Sequence, residues 1–83
     1  MLPVQKIAYT AIASRSLRVS TVKLTVNRGT TSDPLWYESL VLPLRGWAEL
    51  YYRRYATESD ALAGHVELVA LIETAGLPSE VLS

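Results

Sequence analysis

His65 is the only histidine of the chain, and there is no cysteine. Near-neutral acid–base work, soft-metal ligation and activation of a nucleophile therefore all come down to this one side chain. Its surroundings decide what it can do. A metal held on a helix needs a second ligand three or four residues away. Those positions are Ala61, Leu62, Leu68 and Val69, and none of them coordinates. Ser59, Asp60 and His65 are the residue types of a hydrolytic triad. Spacings of six and five on a helix do not bring them together, and the sequence has no nucleophile elbow. A general-base role would need Glu38, Glu49 or a tyrosine hydroxyl brought in from elsewhere. No glycine-rich phosphate loop is present. These residues point to a structural histidine, hydrogen-bonded to a strand group or a tyrosine. The expectation is a protein that is not an enzyme, with no catalytic residues, no metal and no cofactor.

The elements that must position His65 are legible around it. Thr57 is a good N-cap, with Asp60 three residues on, and Glu58 and Asp60 suit the positive end of a helix. The helix is predicted to run to about Ala75, with Gly76 as its terminator and Pro78 blocking continuation. At 100° per residue, Ala61, Leu62, His65, Val66, Val69 and Ile72 form a stripe. Leu68, Leu71 and Ala75 lie to one side, and Leu71 is a candidate partner contact. Gly64 is costly inside a helix, which suggests the close approach of another backbone.

Upstream, Trp36–Leu42 alternates as a strand. Pro43-Leu44-Arg45-Gly46 reads as a hairpin turn, and Trp47–Tyr55 as a returning strand with Trp47, Tyr51 and Tyr55 on one face. Both faces of that hairpin are rich in apolar groups. One face can take the helix; the other needs a cover, either the N-terminal segment or a neighbouring subunit. Leu17–Val26 is a further strand, with Val22, Leu24 and Val26 on one face. Asn27-Arg28-Gly29 marks a turn and the best candidate boundary. Leu2–Ser14 fits either a helical stripe, with Pro3 in the first turn, or a strand. The strand or extended arm is the preferred reading, because β-rich residues lead directly into the next strand. Val81 and Leu82 in the tail are available to dock.

Composition narrows the class. At 83 residues the chain is one small domain, and with no cysteine to staple it, oligomerisation is the one stabilising device left open. Hydrophobic residues make up 49% and charged residues 19%, so some apolar surface is expected to stay exposed and to mark an interaction site. Residues 1–32 carry five basic residues and no acid; residues 33–83 carry three basic against eight acidic. That division is either chance within one folded unit or complementarity between copies or with an acidic partner. No apolar run approaches a membrane span, and residues 1–20 lack a leader's continuous apolar core, so a protein that is soluble and intracellular at synthesis is expected. The aromatic and basic run Tyr51-Tyr52-Arg53-Arg54-Tyr55 keeps nucleic acid open as a partner, although the acidic half argues against a broad basic face.

The block Trp36-Tyr37-Glu38-Ser39-Leu40-Val41-Leu42, the strand ending Arg54-Tyr55, and Thr57 through Gly64-His65 together resemble small uncharacterised proteins encoded by tailed phages and their prophages. The resemblance covers residues 36–73. It implies a β-hairpin followed by a helix with a Gly-His turn and a place in the virion, and it carries no activity over to His65.

The combined expectation is an α+β fold, a small antiparallel sheet of three to four strands with one C-terminal amphipathic helix. Residues 1–16 would be a basic arm or edge strand and residues 17–83 a single domain. The expected role is that of a phage structural or assembly protein, a minor capsid, decoration or tail component. Its partners would be capsid or tail subunits or copies of itself. Ile7, Ile12, Arg15, Arg18, Trp47, Tyr51 and Leu71 are the candidate partner contacts, and Thr57, Gly64 and His65 the structural positions. The alternative is a phage-encoded regulator that binds a host protein or nucleic acid.

Overall fold

The computed structural model describes residues 4–78. Leu2, Pro3, Val81 and Leu82, which entered the sequence reading, lie outside them. The fold is α+β: a four-stranded antiparallel meander in the order β1-β2-β3-β4, with one helix across a single face. The strands are β1 (Gln5–Ile12), β2 (Leu17–Lys23), β3 (Tyr37–Pro43) and β4 (Tyr51–Tyr55), and the helix is α1 (Glu58–Ala75).

The N-terminal segment is the edge strand of this sheet. It pairs with β2 from Gln5↔Lys23 to Ile12↔Leu17. The ladder shifts between Lys6 and Ala8, so Ile7 is the extra residue of a β-bulge. The bulge re-phases the strand, and Thr10 and Ile12 then share the face of Val19 and Leu17, the face that takes the helix. Of the two expectations for residues 1–16, the edge strand is the one observed, and the covering arm is corrected. The segment extends the sheet sideways, and Ile12, 3% exposed, enters the core. A 3-10 turn at Ala13–Arg15 and Ser16 in the left-handed region, φ 55°, carry the chain into β2.

The anticipated boundary at Asn27-Arg28-Gly29 is also corrected, because β2 and β3 pair with each other across it. Asn27 organises the connection. Its Oδ1 accepts the backbone N–H groups of Gly29 and Leu35, both at 2.8 Å. The turn after β3 is longer than a tight hairpin. Gly46 has φ 109°, and regular pairing resumes only at Tyr51, opposite Val41. Residues 44–50 therefore do not keep strand parity. Tyr51 and Tyr55 face the helix, whereas Trp47 lies on the other face with Arg18, Leu40 and Leu42.

The helix begins and ends where its caps require. Thr57 Oγ1 accepts the Asp60 N–H at 3.1 Å, and the Gly76 N–H, at φ 83°, closes on the Ile72 carbonyl at 2.8 Å. The buried row is Ala61, His65, Leu68 and Ile72. These four positions fall within about 60° of arc. The expected stripe was centred too far round, since Leu62 and Val66 are exposed, Val66 at 69%. The rotation is set by contacts on the opposite flank, where Gly64 meets the Tyr55 ring and Glu67 reaches Arg53. Ile12, Val19, Val41, Tyr51, Leu68 and Ile72 form the core, with Leu17, Val69 and Leu77 packed against it. Each fully buried side chain of this kind contributes about 1.5–3 kcal/mol.

Candidate functional site

His65 lies at the centre of the helix–sheet interface, 5% exposed. Its ring nitrogens are both engaged by strand hydroxyls: Nδ1 lies 2.7 Å from Thr21 Oγ1 and Nε2 2.9 Å from Thr10 Oγ1. Thr21 Oγ1 is 2.5 Å from Ser39 Oγ, and the Tyr55 hydroxyl donates to Ser39 Oγ at 3.1 Å. The result is one continuous chain, Thr10–His65–Thr21–Ser39–Tyr55, in which each strand and the helix contribute one residue. Thr21 and Ser39 are fully buried cross-strand partners in the β2–β3 register. Every fully buried side-chain polar atom among the described residues has a hydrogen-bond partner. A satisfied network of this kind specifies one register and one helix rotation, because a slip in either would leave buried hydroxyls unpaired. Burial holds the imidazole below its usual titration range and the Tyr55 hydroxyl above its own.

Gly64 has a local role in the same construction. A Cβ there would collide with the Tyr55 ring. What approaches this glycine is thus an aromatic side chain, where the sequence suggested a backbone. Ser59 and Asp60 sit exposed in the first helical turn, away from the histidine chain.

The opposite face of the sheet carries no second layer among the described residues. It forms a trough of about 480 Å³ lined by Val22, Leu24, Leu40, Leu42 and Trp47, with Lys6, Arg18, Glu38 and Glu49 around them. Trp47 is 80% exposed there. Two aromatic groups on this side hold an arginine. The Arg18 guanidinium lies 4.6 Å from the Trp47 ring and bonds the carbonyls of Pro43 and Gly46 at 3.0 and 2.7 Å. Arg54 lies 4.4 Å from the Tyr52 ring and pairs with Glu38 at 2.8 Å. Cation–π contact together with these hydrogen bonds and the Glu38 pair holds both arginines in place against the rings.

The positions singled out as partner contacts separate accordingly. Trp47 and Arg18 come together on the open face. Ile12 and Tyr51 do not reach a surface; each is 3% exposed within the chain's own core. Arg15 is at the far end of the helix, donating to the Glu73 carbonyl at 3.2 Å, where it meets the negative pole that no basic residue of the last turn covers. Ile7 is the bulge residue and Leu71 is half-buried. Tyr52 and Arg54, offered within the run Tyr51–Tyr55, also belong to this face with Glu38, because the alternation in β4 puts Tyr52 and Arg54 on one side and Tyr51, Arg53 and Tyr55 on the other. Thr10, Thr21 and Ser39 are not among the sequence-predicted site residues, and the tyrosine expected near His65 is reached only through Thr21 and Ser39. Their signal was a hydroxyl at every position facing the one helix residue that needs two polar partners.

No family model, curated protein or solved structure matches the chain. Among the described residues no helix is long and apolar enough to cross a membrane.

Proposed function

We propose that this protein is a non-enzymatic assembly component of a tailed-phage particle, a minor capsid, decoration or tail protein that binds a neighbouring protein subunit through the open face of its sheet. The observation that carries the binding mode is that face. Among the described residues it has no second layer, and it presents Trp47 at 80% and Tyr52 at 43% exposure. Aromatic groups held rigidly beside arginines lose little freedom on binding and are the side chains that most often dominate protein interfaces. The phage setting rests on the resemblance of residues 36–73.

The reading is tested by mass spectrometry of purified phage particles carrying wild-type protein or the Trp47→Ser/Tyr52→Ser double variant. Trp47 is 80% and Tyr52 43% exposed, and neither belongs to the core cluster, so the variant is expected to stay folded. Wild type should be present in the particles and the variant depleted at least about tenfold, the loss expected from about 1.4 kcal/mol of contact energy. Absence of wild type from particles, or equal incorporation of the variant, would sink the proposal.

The second reading, a regulator that binds nucleic acid, draws on the arginine–aromatic pairs of the same face, an arrangement suited to stacked bases and phosphates. Glu38 and Glu49 line the same trough and oppose a phosphate backbone. Binding of single-stranded oligonucleotides that weakens steeply with salt would favour this reading over protein contact.

A further inference from the structure

The hydroxyl chain can run in only one direction at a time. Each hydroxyl has a single proton to give. The one arrangement in which every hydroxyl from Tyr55 to Thr21 donates within the chain has Tyr55 donating to Ser39, Ser39 to Thr21 and Thr21 to His65 Nδ1. Nδ1 is then an acceptor, and the neutral ring carries its proton on Nε2, donated to Thr10. A second proton on the ring must sit on Nδ1. Thr21 keeps its own proton bonded within the chain by turning it to Ser39, and Ser39 keeps its proton bonded there by turning it to Tyr55 Oη. The Tyr55 hydroxyl then points outward. Every bond in the chain survives this reversal, and Tyr55 is half-buried, so its displaced proton can meet water.

We infer that the Thr10–His65–Thr21–Ser39–Tyr55 chain is an acid-sensitive latch between helix and sheet, in which protonation of His65 reverses the hydroxyls and weakens the seat of α1. The groups that face the ring do not neutralise the added charge. From β1 comes Thr10, while Lys6 and Tyr9 stand on the opposite face. From β2 come Thr21 and, at the strand end, Lys23; from β3, Ser39 and Tyr37. From β4 come Tyr51, Tyr55 and Arg53, and Arg53 is itself cationic and committed to Glu67 at 2.8 Å. On α1, Glu73 borders the groove beside His65. No carboxylate forms an ion pair with the ring among the described residues. The protonated state therefore keeps its hydrogen bonds but places an uncompensated charge in the core.

The sign follows from burial. The folded ring sits below the usual histidine value of 6.5, so the unfolded chain binds more protons between the two values. The stabilisation is complete above pH 6.5 and is lost as pH falls through the folded value.

The test is NMR titration of the His65 ring, in wild type and in Tyr55→Phe, together with denaturant unfolding between about pH 7 and about pH 5. Wild type should show a neutral Nε2–H tautomer, a midpoint below 6.5, and a denaturation midpoint that falls with pH. In Tyr55→Phe the reversed chain loses its last acceptor, so the His65 midpoint should move lower still. His65→Gln should remove the pH dependence over this window; if it does not fold, the Tyr55→Phe titration decides alone. A neutral proton on Nδ1, a midpoint at or above 6.5, or an unmoved midpoint in Tyr55→Phe would each overturn the latch.

Discussion

Gly64→Ala sets two effects of similar size against each other. In an exposed helix interior this substitution stabilises by about 1 kcal/mol through propensity alone. Here the new methyl would meet the Tyr55 ring at Cε1, Cζ and Oη. The far end of an aromatic ring can swing aside, but this one is tied by its hydroxyl to Ser39 at 3.1 Å. Moving it forfeits that bond, about 1 kcal/mol, and overpacks the interface by about 1–3 kcal/mol. The net expectation is destabilisation of about 1–3 kcal/mol, a fall in melting temperature on the order of 10 °C for a domain this size. Urea unfolding of four proteins measures it: wild type, Gly64→Ala, Tyr55→Leu and the double variant. Leucine lacks the atoms that would clash, so in its background Gly64→Ala should stabilise by about 1 kcal/mol, with the coupling appearing as non-additivity of about 2 kcal/mol or more. If Gly64→Ala stabilises the wild-type chain by its propensity gain, the close packing of Tyr55 on the helix is wrong.

Two further outcomes separate this fold from the sequence-based expectations. Leu68→Ala should cost about 2–5 kcal/mol, since Leu68 is fully buried, while Val66→Ser, at a position 69% exposed, should change stability by less than about 0.5 kcal/mol; thermal melts that rank the pair the other way would refute the observed helix rotation. Deleting residues 1–16 should unfold the chain, because it removes an edge strand and Ile12 from the core; a folded truncated domain with dispersed amide resonances would restore the independent-arm reading.

The parts of this protein that were legible in the linear sequence are those governed by near neighbours. Thr57, Asp60, Gly76 and Pro78 bound the helix because capping is a matter of a few consecutive backbone groups. The alternation in Tyr37–Leu42 and the turn at Asn27-Arg28-Gly29 mark strands and a reversal for the same reason. The absence of cysteine and the lone histidine narrowed the chemistry before any fold was considered. What distance along the chain concealed was orientation. Ile7 as a bulge, Trp47 out of phase with Tyr51, and the helix turned to seat Leu68 in place of Val66 are each set by partners tens of residues away. So is the buried chain on His65, whose hydroxyls come from four strands. A threonine or serine facing a core looks unfavourable in one dimension, since an unpaired buried hydroxyl is costly. Only the packed sheet and helix supply the partner that turns that cost into a constraint on register, and only the same packing leaves Trp47 and Tyr52 on a face with no second layer among the described residues.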